Sequence, residues 1–261
     1  MIQFNVIPEG KKRIVTFSYD DGQNDEHLVA LFNRYHIKAT FHLNGKDLSA
    51  EEVLAKRTLY AGHEISCHTT THGWPARMPQ QSVVGEVLSN RLLLEKIAQY
   101  PVVGMSYPSG SYNAAAIAAM EASGIVYART VRNTMNFDLP DCFMEWHPTC
   151  HHKQALQLCD KFLENLDSQW CSPLFYIWGH AHEFRTEADW DVMAAILEKL
   201  AGNPKIWYAT SYEIYRYITA QRALVISADE TVFYNPSAID VWVEKDKSQI
   251  IRIPAGTTIS L

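Results

Sequence analysis

His68 and His72 stand four residues apart, a spacing that on a helical turn points two imidazoles the same way and lets both reach one cation. A third ligand from Asp20 or Asp21 would make a set of two nitrogens and one oxygen. Such a set leaves room for water, as a catalytic divalent ion requires, and zinc is the first expectation, with cobalt, nickel or manganese as substitutes. Asp20 and Asp21 are consecutive, so in an extended chain their side chains diverge. One carboxylate can then hold the ion while the other stays free as a base. Asp-Asp-Gly also reads as a plain turn whose acids bond local amides. His180 and His182 would share a face if their strand continues, and either could be a general acid. The plain alternative is a core histidine beside Trp178.

Other polar residues read as structure. His63-Glu64 precedes His68 by one residue too many for H-E-x-x-H, so both are taken as the approach to a strand. His151 and His152 open a helix and read as surface or capping residues; His27, His36 and His42 fall inside elements. Trp74, Trp146 and Trp178 could wall a sugar site, although aromatic residues at strand ends are more often core. A serine hydrolase is excluded, since no G-x-S-x-G is present.

A repeating strand–helix pattern must position these groups. Strands are expected at 14–17, 39–43, 64–67, 102–107, 125–130, 174–178 and 206–209. Helices are expected at 24–35, from the Ser49/Glu52 capping box to 60, and at 80–99, 113–123, 152–166, 187–200 and 211–218. On the helix at 80–99 one apolar side is read as Val83, Val84, Val87, Leu88, Leu92 and Ile97. Alternation of this kind predicts a parallel sheet, open or closed. No G-x-G-x-x-G and no Walker loop favours the open nucleotide-binding form, so an α/β barrel is expected over 1–222. Beyond it, 223–261 reads as a small antiparallel β appendage packed on the barrel. In a parallel barrel the chemistry gathers where strands end, which is where Asp20, His68, Pro108 and His180 fall.

Composition narrows the function classes. The 261 residues are 47% hydrophobic, enough to bury a core without a disulfide or metal staple. No apolar run approaches the roughly 18 residues of a membrane span. A net charge of −6 without a basic block argues against nucleic-acid or anionic-membrane partners. The five cysteines, Cys67, Cys142, Cys150, Cys159 and Cys171, are scattered without C-x-x-C spacing. With no basic-then-apolar leader at the N-terminus, a reducing, cytoplasmic setting is expected.

Taken in order, five segments resemble the motifs of the polysaccharide deacetylases, the chitooligosaccharide deacetylase homology group of carbohydrate esterase family four. Thr16-Phe17-Ser18-Tyr19-Asp20-Asp21-Gly22 is similar to the first motif and Ala39-Thr40-Phe41-His42-Leu43-Asn44-Gly45 to the second strand. Gly62-His63-Glu64-Ile65-Ser66-Cys67-His68-Thr69-Thr70-Thr71-His72 resembles the metal motif, Tyr107-Pro108-Ser109-Gly110 the third, and Trp178-Gly179-His180 the last. The resemblance covers about residues 12 to 220. It implies a distorted, incomplete (β/α) barrel with one divalent metal on Asp21, His68 and His72. It further implies Asp20 as base, His180 as acid, and Ser109, with Tyr107 of the same motif, at the substrate and oxyanion. The implied reaction is removal of an acetyl group from an N-acetylated sugar or related small amide, with a small-molecule or oligosaccharide partner.

Two departures accompany it. Ser106 stands where the family's base-orienting arginine is usual, and Arg129 on the neighbouring strand is expected to replace it. The family's Asp-rich fourth motif has only Glu145-Trp146-His147 as a counterpart. Competing readings are a barrel amidohydrolase with His180 and His182 as ligands, and a carbohydrate-binding relic that has lost turnover.

Overall fold

The computed structural model describes residues 2–4, 6–164, 166, 168 and 173–261; Cys171 lies outside them. The first half runs β1 (Ile2–Gln3), β2 (Arg13–Asp20), α1 (Asp25–Arg34), β3 (Thr40–Leu43), α2 (Ala50–Leu59), β4 (Glu64–Cys67), α3 (Gln80–Ala98) and β5 (Gly104–Ser106). Then follow α4 (Ala114–Ala122), β6 (Tyr127–Arg129), β7 (Cys150–His151), α5 (His152–Glu164), β8 (Leu174–His180), α6 (Glu187–Leu200), β9 (Ile206–Tyr208) and α7 (Ser211–Arg222). Five short strands end the chain: β10 (Val225–Ile226), β11 (Val232–Tyr234), β12 (Val241–Lys245), β13 (Gln249–Ile253) and β14 (Thr258–Ser260).

Every residue of β2 is buried, as befits a parallel strand covered on both faces. One edge pairs with β8 from Ile14 to Asp20. The other edge is shared, β9 taking Arg13–Val15 and β3 taking Ser18–Asp20. Parallel pairing continues from β3 through β4 and β5 to β6, and from β8 to β7. Trp146 forms a parallel bridge with Arg129, so the segment entering β7 reaches from β6 towards β8 and closes the ring by a thin seam. The result is a distorted (β/α) barrel, with Asp20, Cys67, Ser106, Arg129 and His180 all ending strands at one rim.

Local chemistry explains the helices. Ser49 and Glu52 make the expected capping box of α2. The buried side of α3 is Val83, Val87, Asn90, Leu93, Leu94 and Ile97, whereas Leu88 and Leu92 are exposed. The expected stripe was rotated because a polar residue, Asn90, belongs to the buried face and binds backbone at the rim. At the start of β4, Glu64 is buried among Thr40, Tyr127 and the Tyr212 amide. It closes the end of the barrel away from the rim, in keeping with its reading as structure.

The last five strands form antiparallel sheets, β10-β11-β14 and, with the N-terminal strand, β1-β12-β13. Tyr217 ties them to the barrel, its hydroxyl donating to the Val6 carbonyl at 3.0 Å and accepting from the Trp242 amide at 3.1 Å. The N-terminus therefore joins the C-terminal strands, which the sequence pattern did not suggest. No described helix is long and apolar enough to cross a membrane.

Candidate active site

Asp20 ends β2, and the chain then turns at once: Asp21 adopts φ 75° and Gly22 φ 67°. The Asp21 amide donates to the His42 carbonyl at 3.0 Å, which aims the two carboxylates differently, as consecutive acids at a strand end should be. His68 follows β4 directly. The His68–His72 segment is not a helical turn; left-handed backbone at Thr69 (φ 60°) and His72 (φ 56°) brings the rings together, with centroids 4.9 Å apart. The loop is held from α3. Asn90 accepts the His68 amide at 3.1 Å and donates to the Gly45 carbonyl at 2.9 Å, while the Glu86 carboxylate accepts the Thr71 amide at 2.8 Å.

Three donor atoms converge. Asp21 Oδ1 lies 3.6 Å from His68 Nε2 and 3.7 Å from His72 Nε2, and one ligand atom from each residue falls within 4.8 Å of the others. The tautomer of His68 suits a ligand. Its Nδ1 lies 3.0 Å from the Ser106 carbonyl and 2.7 Å from Ser106 Oγ, so the ring donates there. Nε2 is left with a lone pair, buried and without a hydrogen-bond partner among the described residues. Burial lowers the His68 pKa, keeping the ring neutral. An orphaned nitrogen aimed at a carboxylate and a second imidazole fits a borderline divalent ion such as zinc.

Asp20 sits behind this group, 2% exposed. Both its oxygens accept from Arg129 Nη2, and Oδ1 also accepts from Ser106 Oγ at 2.9 Å. Burial alone would raise the Asp20 pKa, but the Arg129 guanidinium outweighs it and holds the carboxyl well below its usual range. Parallel register sets Ser106 beside Arg129. Arg129 is fully buried, its guanidinium stacked on Trp178 at 4.5 Å, and Trp178 in turn donates to Asn133 at 2.8 Å.

His180 Nε2 faces Asp20 Oδ2 at 3.9 Å. Burial opposes its protonation, yet Glu183, Asp20 and Asp21 together raise its pKa. The strand does not continue past it: Ala181–Glu183 is a 3₁₀ turn. His182 nevertheless faces the same space, with Nδ1 3.9 Å from Asp21 Oδ2.

Other sequence expectations change as well. The Tyr107 side chain is withdrawn from any substrate contact, because it is fully buried, stacked on Tyr112 and donates to the Met144 carbonyl at 2.7 Å. Ser109, in contrast, is exposed on the turn after β5 with φ 52°. Trp146 is core and Trp178 supports Arg129, so of the three tryptophans only Trp74 stands open to solvent, under Arg77 at 4.1 Å. Sequence reasoning missed Ser106, seen only as a lost arginine, and Glu183, which no motif marks. His151 and Glu183 are 2.8 Å apart, so His151 is more than a cap.

Comparisons with known proteins bear on the family and the fold. A family model described as polysaccharide deacetylase matches residues 8–128. A peptidoglycan-N-acetylglucosamine deacetylase of Bacillus cereus is 27% identical over 109 residues, 41% of this chain and 50% of that protein. The chain thus spans about half the length of this curated relative. Among solved structures, a putative polysaccharide deacetylase from Mycobacterium smegmatis superposes with TM-score 0.62 at 15% identity, covering 83% of this chain and 93% of that one. A family 4 acetyl xylan esterase from Clostridium thermocellum in complex with a cobalt ion gives TM-score 0.52 at 15% identity, covering 78% and 90%. With the family model matching residues 8–128 and the barrel shared, the chain resembles the polysaccharide deacetylase family over its N-terminal half and has that fold.

Proposed function

We propose that the chain is a divalent-metal-dependent hydrolase that removes the acetyl group from an N-acetylated sugar or a related small amide. Asp21, His68 and His72 would hold the ion. When bound, such an ion supplies positive charge that acidifies water and polarises an acyl carbonyl. Asp20 takes the proton from the attacking water. Arg129 and Ser106 keep its carboxylate ionised and fixed in direction. The Ser109 amide, on the exposed turn after β5, is the donor proposed for the developing oxyanion. His180, whose acidic neighbours favour its protonated form, delivers a proton to the departing amine, a poor leaving group unless protonated. The roughly 4 Å between His180 Nε2 and Asp20 Oδ2 is too long for a direct hydrogen bond, which leaves acid and base free for substrate.

The observation that carries this reading is the buried, unpartnered His68 Nε2, pointed at Asp21 and His72 beside a carboxylate that a buried guanidinium keeps ionised. Arg129 on Asp20 weighs against reading the chain as a relic, because Asp20 keeps a buried cation although Ser106 stands where the family's arginine is usual. The test is acetate release from a panel of N-acetyl sugars with zinc supplied at one equivalent. Asp20→Asn is expected to lower kcat about 100- to 10,000-fold while zinc still binds. Full activity in that variant, or zinc bound without acetate from any amide, would sink the proposal.

A further inference from the structure

Outside the Asp21–His68–His72 group, a second set of metal-ligating atoms surrounds one carboxylate oxygen. Glu183 Oε2 lies 2.8 Å from His151 Nε2, 3.4 Å from His152 Nε2 and 3.8 Å from His180 Nδ1. Single ligand atoms of His151, His180 and Glu183 fall within 4.8 Å of one another. Lys153 approaches the other oxygen, Oε1, at 3.5 Å. Its charge opposes a cation, but it leaves Oε2 to the imidazoles.

The rings are built in place. His152 is stacked on Phe184 at 4.4 Å, and a Cβ on Gly179 would come within 2.0 Å of its Nδ1, so only glycine lets the strand pass this close. His151 meets the edge of Trp178 at 5.0 Å. Nδ1 of His180 has no hydrogen-bond partner among the described residues. A tethered carboxylate oxygen among pre-oriented imidazoles has the donor chemistry of zinc, nickel or copper sites, not of magnesium or calcium sites.

One residue belongs to both places. The Nε2 of His180 faces Asp20, and its Nδ1 faces Glu183. We propose that His151, Glu183 and His180 form a second transition-metal site whose filling takes His180 out of acid duty, so that excess metal inhibits the enzyme. With Nδ1 coordinated, His180 is no longer an imidazolium; its one remaining proton, on Nε2, would leave imidazolate behind on transfer. The site itself stands on geometry alone; the inhibition rests on the proposed role of His180.

The 261-residue chain, stripped with chelator and titrated with zinc, distinguishes the two. Equilibrium dialysis with metal analysis should give about two zinc ions per chain, falling to about one in His151→Ala and in Glu183→Gln. Asp21→Asn should keep the second ion and lose the first. Turnover at one equivalent should fall about tenfold or more with excess zinc in the wild type and stay level in His151→Ala, and magnesium should do neither. A single zinc on the wild type, or a second zinc that survives both His151→Ala and Glu183→Gln, overturns the second site. Two ions with the predicted losses, but no acetate released at one equivalent, would leave the site standing and overturn the catalytic reading instead.

Discussion

Replacing Arg129 with Met tests whether the guanidinium keeps Asp20 ionised. Arg129 is fully buried and Asp20 is 2% exposed, so water cannot substitute for the lost partner. Breaking a buried ion pair by removing one member costs about 3–5 kcal/mol. At 1.36 kcal/mol per pH unit, the same energy would raise the Asp20 pKa by about 2 to 4 pH units. The Ser106 hydroxyl at 2.9 Å remains and limits the rise. Because Arg129 depresses the folded-state pKa of Asp20, this stabilisation is present above the unfolded carboxylate value of about 3.9 and is lost as pH falls below it. The gap in unfolding free energy between wild type and Arg129→Met should therefore be largest near pH 7 and shrink towards pH 3. The acid limb of kcat/KM should move up with it. Arg129→Lys should recover only part, since an ammonium keeps the charge but not the stacking on Trp178. Chemical denaturation of both singles and of Asp20→Asn/Arg129→Met completes a double-mutant cycle. Penalties that add to within about 0.5 kcal/mol would refute the pairing, as would an unmoved acid limb.

Ser106→Ala should weaken zinc affinity about 10- to 100-fold, because the hydroxyl accepts from His68 Nδ1 while donating to Asp20; unchanged affinity by competition with a chelator would deny the relay. Asp25 is buried with its Oδ2 accepting from the Tyr60 hydroxyl at 2.8 Å, and burial raises its pKa to about 7. The folded state then holds the proton more tightly than the unfolded one, so stability is greatest below about pH 4 and is lost as pH rises through 7. The cost at pH 8 is about 4 kcal/mol at most. In the metal-free protein Asp25→Asn should be the more stable at pH 8 and should flatten the slope between pH 4 and 7, and a slope left intact in urea melts at several pH values would count against it.

The barrel was legible because its signals are local and periodic: β-branched runs such as Ile14-Val15-Thr16-Phe17 alternate with capped helices, and each strand ends at a turn residue. The rim residues Asp20, Asp21, His68 and His180 were legible because they share strand-end positions. Less visible were contacts that depend on which strands become neighbours. Glu183 lies three residues past His180 but acquires its importance from His151, which comes from a different strand end. Asn90 was hidden by an expectation that a buried helix face is apolar, while its amide side chain in fact spans two loop backbones. The same limit explains Tyr107: motif membership put it at the substrate, yet alternation along the chain turns its ring into the core.

Ser106 and Arg129 show how a cation absent from one strand end can be supplied from the next. The requirement at Asp20 is a buried cation close enough to both oxygens to outweigh desolvation, and the strand that supplies it is free to vary. Pairing of β5 with β6 puts positions 106 and 129 side by side, so a guanidinium from either can reach the same rim. Its place on β6 has two structural consequences. Trp178 on β8 becomes the platform that fixes the guanidinium plane. The neighbouring position on β5, Ser106, is small and polar, and its hydroxyl links the proposed base to the tautomer of a proposed metal ligand. A serine there is thus coupled to the arginine on the next strand through one shared carboxylate, and neither substitution is interpretable without the other.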